Sequence, residues 1–184
     1  MMWPFYYALS SMESKKNNSF NLRYFFVLLL LLLNSCGGQR YKTPDVREAI
    51  DRNGPVEVPL VQDGKKVVMY YTAGGFAFSM QDVPHGKIDG IIRDNPDWQF
   101  LFYVHCQTDE EVEFVRKWLA NIGDDFAVRI DRDNAFRKAN NMDEYGSIGF
   151  ILDEKGRKLS VCVIGTPRSF FDSEFRKAKR MLGH

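Results

Sequence analysis

The chain has 184 residues, 45% of them apolar, and its charge is balanced: 25 Lys and Arg against 24 Asp and Glu. No basic stripe interleaved with aromatics runs through it, which argues against nucleic acid as a partner. It has three cysteines and three histidines; none falls in a metal-ligand spacing and the cysteines make no disulfide framework, so neither a metal nor a cofactor is expected.

The first landmark is Cys36. Ahead of it lie Lys15, Lys16 and Arg23, then Phe25-Phe26-Val27 and an unbroken run of leucines to Leu33. A basic head, a short apolar stretch and small residues at its end are the parts of a secretory signal peptide. The apolar stretch is about half of the ~20 residues that span a bilayer. Leu33-Asn34-Ser35-Cys36 resembles the bacterial lipobox, with Asn34 departing from the usual Ala or Ser. That resemblance implies cleavage before Cys36 and a lipid on its thiol, hence a membrane as partner. It implies a site in the bacterial envelope, with Gly37 after the cysteine favouring the periplasmic side of the outer membrane over the inner membrane. An ordinary signal peptide cut nearby and a short anchor helix are the other readings. Residues 1–35 are thus expected to be a signal, and Met12 offers a start that gives it ordinary length.

Residues 36–65 read as a lipid-anchored tether, polar and broken by Pro44, Gly54, Pro55 and Pro59, with one short helix over Pro44 to Asp51. Residues 66–184 read as the folded domain. Val67-Val68-Met69-Tyr70-Tyr71 is a short apolar run between glycines, hence a buried strand. Phe76 to Arg93 has helical potential, but Pro84, Gly86 and Gly90 break it. Phe100 to Val104 is a second strand. Thr108-Asp109-Glu110-Glu111 spells a capping box, and the helix it opens buries Val112, Val115, Leu119 and Ile122, widened by Phe114 and Trp118. Phe126 to Ile130 is a third strand and Asn134 to Asn140 a short helix. Ile148 to Leu152 and Leu159 to Ile164 form a hairpin around Asp153-Glu154-Lys155-Gly156. A helix from Ser169 closes the chain with Phe171, Phe175, Ala178 and Leu182 as its stripe. Strands apolar on both faces need cover on both sides, so the expected class is α/β, a three-layer α/β/α sandwich around a mixed sheet.

The element order, and the stretches Phe126 to Phe136, Gly149 to Leu159 and Val163-Ile164-Gly165-Thr166-Pro167, resemble the periplasmic thioredoxin-like and redoxin proteins over roughly Lys66 to Leu182. That resemblance implies a thioredoxin-like fold. It also implies a Cys-x-x-Cys motif after a strand at a helix start, where the dipole lowers the first thiol's pKa, faced by a cis-proline just before the hairpin strand. Two registers fit. In the favoured one the motif falls on Phe76-Ala77-Phe78-Ser79, without cysteine. In the other it falls on Cys106-Gln107-Thr108-Asp109, with one. The proline position holds Ser147 in either case. Phe76, Ala77, Phe78, Ser79 and Ser147 are therefore read as degenerate active-site positions.

Cys106 is the one candidate catalytic residue. It precedes a helix N-terminus that favours a thiolate, but Asp109, Glu110 and Glu111 raise a thiol pKa, and buried inert thiols are the commoner case. Cys162 reads as a strand residue, and a Cys106–Cys162 disulfide is not expected. Phe76, Phe78 and Met80 either fill the core or line a pocket for a partner protein or a small apolar ligand. Asp131 and Asp133 lack the rest of a calcium loop and read as helix caps. The function expected is a non-redox binding or assembly module; the alternative is a one-cysteine thiol-disulfide oxidoreductase or peroxidase.

Overall fold

The computed structural model describes residues 40–81, 83–84, 86–142, 147–163 and 170–183. The signal segment, Cys36, His85, His184 and the stretch Gly165 to Pro167 lie outside them, as does the Cys162 side chain. Gln39–His184 form one compact unit.

The chain builds β1 (Ala49–Asp51), β2 (Gly54–Pro55), β3 (Lys65–Thr72), α1 (Ala73–Met80), α2 (Lys87–Arg93), β4 (Trp98–His105), α3 (Asp109–Ile122), β5 (Val128–Ile130), α4 (Ala135–Asn140), β6 (Ile148–Leu152) and β7 (Lys158–Val163). A wide π-type turn, Phe170–Phe175, leads into α5 (Arg176–Met181). The sheet order is β2-β1-β5-β4-β3-β6-β7. β3, β4 and β5 are parallel neighbours, and β6, β7, β1 and β2 join antiparallel. The sheet is therefore mixed, as expected.

Side-chain alternation along β3 sorts the core. Val67, Met69 and Tyr71 face one side, with Phe76 and Met80 of α1, Val115 and Leu119 of α3, and Phe171, Phe175 and Ala178. Val68 and Tyr70 face the other, with Leu101, Tyr103, Phe150 and Phe136 of α4. This second layer is thin. One short helix and the segment carrying Tyr41, Val46 and Val61 cover it.

The segment expected to be a tether is thus part of the domain. No helix forms over Pro44 to Asp51; Ala49 and Ile50 instead pair with Arg129 and Val128 and are buried. Buried Arg129 pins the segment by donating to the carbonyls of Val46 (2.5 Å) and Pro59 (2.6 Å). Backbone groups so satisfied, plus buried Ile50, hold the segment down despite its prolines.

The other local signals act as expected. The capping box at Thr108 and Glu111 is formed, and Gly123 ends α3 at φ 75°. Phe114 is the exception on that helix, since it lies 43% exposed. The helical potential over Phe76 to Arg93 resolves into α1 and α2. Buried Asp124 caps α2 by accepting from the amides of Gly86 and Ile88. Asp131 accepts from the amides of Ala135 (2.7 Å) and Phe136 (3.0 Å) and starts α4, so it is the helix cap expected. Asp133 is exposed.

Candidate functional site

β3 ends at Thr72, which caps α1 by accepting from the Gly75 amide at 3.1 Å. Gly75 has a neighbour from far along the chain. A Cβ placed on it would lie 2.5 Å from Ser147 Oγ and 2.9 Å from Thr72 Oγ1. Ser147 immediately precedes β6, so the position before the hairpin strand faces the N-terminus of α1 and not that of α3. This contact favours the first of the two registers. It also shifts the facing residue one place ahead of the expected stretch, to Gly75.

The residues of that stretch are spread over the helix. Phe76 is fully buried and packs edge-on against Tyr71, with ring centroids 5.6 Å apart. Ala77, Ser79 and Met80 are buried. Only Phe78 is presented to solvent, at 65% exposure. With exposed Gly74 one turn before it, it forms an outer face beside the Gly75–Ser147 contact.

That contact leaves little room for a side chain. Gly75→Ala is expected to force Ser147 or the Thr72 cap aside and to cost about 1–3 kcal/mol, the range of overpacking. Gly74→Ala, where an added Cβ meets nothing within 4 Å, is expected to be neutral or stabilising by up to ~1 kcal/mol. Urea unfolding of the two variants checks the contrast.

Cys106 sits just past β4, fully buried in the larger core cluster. Burial pushes its thiol up to about 12, the Glu111 carboxylate and Glu48 add to the rise, and Arg132 opposes it. The acidic crowding expected at this helix start is present in Glu111, but desolvation is the larger cause. Glu111 itself is engaged, accepting from the amides of Gln107 (2.5 Å) and Thr108 (3.3 Å). Arg132 bridges Glu48 (2.8 Å) and Asp109 (2.7 Å) at the same end of the sheet. Next to the cysteine, His105 Nδ1 donates to the Asp131 carbonyl at 2.7 Å and its Nε2 lies 3.3 Å from Gln107 Nε2. Burial and the raised pKa both disfavour the thiolate, the form that acts as nucleophile or metal ligand. Among the described residues no three His, Cys, Asp or Glu side chains gather as a metal site.

An apolar concavity does exist, away from Phe76 and Met80. At the start of β4, a cleft of about 390 Å³ is floored by Phe100, Phe102 and Phe126, with Leu60 and Gln99 among its other walls. It opens because β5 pairs with β4 only at Tyr103 and Val104. Its volume lies in the range of small-molecule pockets.

The sequence flagged Cys106, Phe78 and Ser147 one by one. It gave no sign of Thr72 or of the Glu48–Arg132–Asp109 bridge, which assemble only through the sheet.

No protein-family model and no curated protein matches the sequence. Solved structures do match. A protein from Chlorobium tepidum assigned as a thiol:disulfide interchange protein DsbE superposes with a TM-score of 0.51 at 14% identity, covering 78% of this chain and 96% of that one. A protein from Bacteroides thetaiotaomicron assigned as a disulfide isomerase gives 0.49 at 14% identity, over 80% and 95%. An uncharacterised thioredoxin-like protein from Porphyromonas gingivalis gives 0.47 at 12% identity, over 79% and 96%. At such identities the likeness speaks for the fold alone. With a mixed seven-stranded sheet, parallel in its middle and closed by a hairpin and a terminal helix, this chain has a thioredoxin-like α/β/α fold.

Proposed function

We propose that this chain is a lipid-anchored, thioredoxin-like protein of the bacterial envelope that binds a partner and does not exchange thiols. The observation that carries the reading is the Gly75–Ser147 contact. The helix start that would hold a reactive cysteine carries a glycine, and the opposing residue fills the space a side chain would need. Cys106, the cysteine whose side chain is described, is buried, and burial pushes its thiol pKa up to about 12. The anchor rests on the lipobox-like run ending at Cys36, and the outer membrane is favoured by Gly37. For binding, exposed Phe78 beside the site offers an apolar contact for a partner protein, and the cleft floored by Phe100, Phe102 and Phe126 suits a small apolar ligand.

Two measurements test this. Residues 37–184, given hydrogen peroxide or a mixed disulfide, should consume neither faster than the Cys106→Ser variant does. Turnover that Cys106→Ser abolishes would replace the proposal with the one-cysteine enzyme. Separately, the full chain expressed in a Gram-negative host should incorporate labelled palmitate. Incorporation that survives Cys36→Ser would overturn the anchor.

A further inference from the structure

The domain is electrically polarised along its strands. At one end lie the starts of β3 and β4, the loop between β6 and β7, and the end of α5. Lys65, Lys155, Arg157 and Leu182 line one concavity there together with Asp153 and Glu154, and Lys158 stands 5.9 Å over the Tyr41 ring. Lys155, Arg157, Lys158 and Arg180 are exposed. Two acids of this end are paired with two of its cations. Asp153 is held by Arg157 (2.7 Å) and by the amides of Lys155 and Arg157, and Asp97 is held by Lys65 (2.5 Å). Glu154 and Asp63 are exposed. At the other end, β3, β4 and β5 finish among Glu48, Asp109, Glu110, Glu111 and Asp133, with Arg132 bridging two of them.

The chain enters the domain at the basic end. Arg40 pairs with Arg157 in an isolated antiparallel β-bridge, and the Tyr41 amide donates to the Gly156 carbonyl at 2.9 Å. From Cys36 to Arg40 the backbone reaches at most about 14 Å. A lipid on Cys36 therefore keeps Arg40 within about 14 Å of the anchored cysteine's backbone, and with it the paired loop of Lys155, Arg157 and Lys158.

We infer that this basic end is a docking surface for anionic phospholipid headgroups, resting on the lipid-anchor reading above. A lipid on Cys36 fixes the domain to a membrane but not its orientation; exposed basic side chains near the point of entry add attraction to anionic headgroups. Contact through this end also orients the domain. β3 runs away from it, so the Gly75–Ser147 contact and Phe78 stand about 23 Å further from the membrane, one strand length out. The acidic end and the exposed Phe78 then face the aqueous side, where a partner reaches them.

The test uses residues 37–184, which hold the whole compact unit without the lipid. The protein should co-sediment with phosphatidylglycerol vesicles at low salt, bind phosphatidylcholine vesicles little, and be released by about 0.5 M salt. Lys155→Glu, Lys158→Glu and Arg180→Glu together should weaken anionic-vesicle binding at least about tenfold. Matched reversals at Arg47, Arg116 and Lys117, all outside this end, should change it less than about threefold. Equal losses in the two triple variants, or no binding to anionic vesicles, would overturn the surface. Circular dichroism of both variants excludes unfolding as the cause. Palmitate labelling at Cys36 reports the anchor independently, so failure of the anchor and failure of the surface give different results.

Discussion

Raising the pH from about 8 to about 11 is expected to remove on the order of 5 kcal/mol of folding stability, because each buried acid that ionises only on unfolding costs about 1.4 kcal/mol for every pH step of one. Three buried acids contribute. Burial pushes Cys106 from 9.0 up to about 12, and it pushes Tyr70 from 10.0 up to about 12 against the opposing Arg137 charge. Tyr103 is likewise raised by burial. In each the folded state holds its proton more tightly than the unfolded chain. Their contribution is therefore complete below about pH 9 and is lost as pH rises toward about 12. Total stability of a domain is typically about 5–15 kcal/mol, so a loss of about a third or more of it by pH ~11 is expected. Chemical denaturation at stepped pH measures the slope. Cys106→Ala should remove about half of the loss between about pH 9 and pH 11; an unchanged slope would mean that the thiol already ionises in the folded state.

Phe136→Ala is expected to cost about 3–5 kcal/mol, the range for a fully buried aromatic. Phe136 is the main helical contribution to the thin side of the sheet. Its ring lies 5.6 Å from Tyr70, 5.3 Å from Tyr103 and 5.8 Å from Phe150. Phe136 touches all three rings at once, so its loss leaves a cavity shared between them. Phe78→Ala, by contrast, should change stability by less than about 0.5 kcal/mol, because that side chain is mostly in solvent. Urea midpoints of the two variants separate a core aromatic from an exposed one.

Those two phenylalanines mark what the sequence could and could not express. Local patterns were legible. The apolar runs became β3 and β4, Thr108 and Glu111 closed their capping box, Pro84 and Gly86 divided α1 from α2, and Gly156 turned the hairpin at φ 73°. Pairings between distant segments were not. β1 and β2 span only three and two residues, too short for a period, and their stability comes from β5 and the Arg129 hydrogen bonds. The third strand starts at Val128 because Phe126 turns inward against Phe102, with ring centroids 4.7 Å apart. The candidate site was half legible. The absence of cysteine where the resemblance asks for one could be read directly, as could the serine in the proline's place. What the sequence could not express is that Gly75 meets Ser147, a residue far along the chain. The spacing of Phe76 and Phe78 left open which ring faces the core. Packing against Tyr71 decides it.

The proposed absence of thiol exchange rests on Cys106, which is buried and whose pKa burial pushes up to about 12. Alkylation of Cys106 in folded residues 37–184 carrying Cys162→Ser, followed from about pH 6 to about pH 9, tests this most directly. The expected result is no modification of the native protein at any of these pH values, with reaction appearing only in step with global unfolding in urea. Native-state alkylation that titrates with a midpoint near neutrality would contradict it.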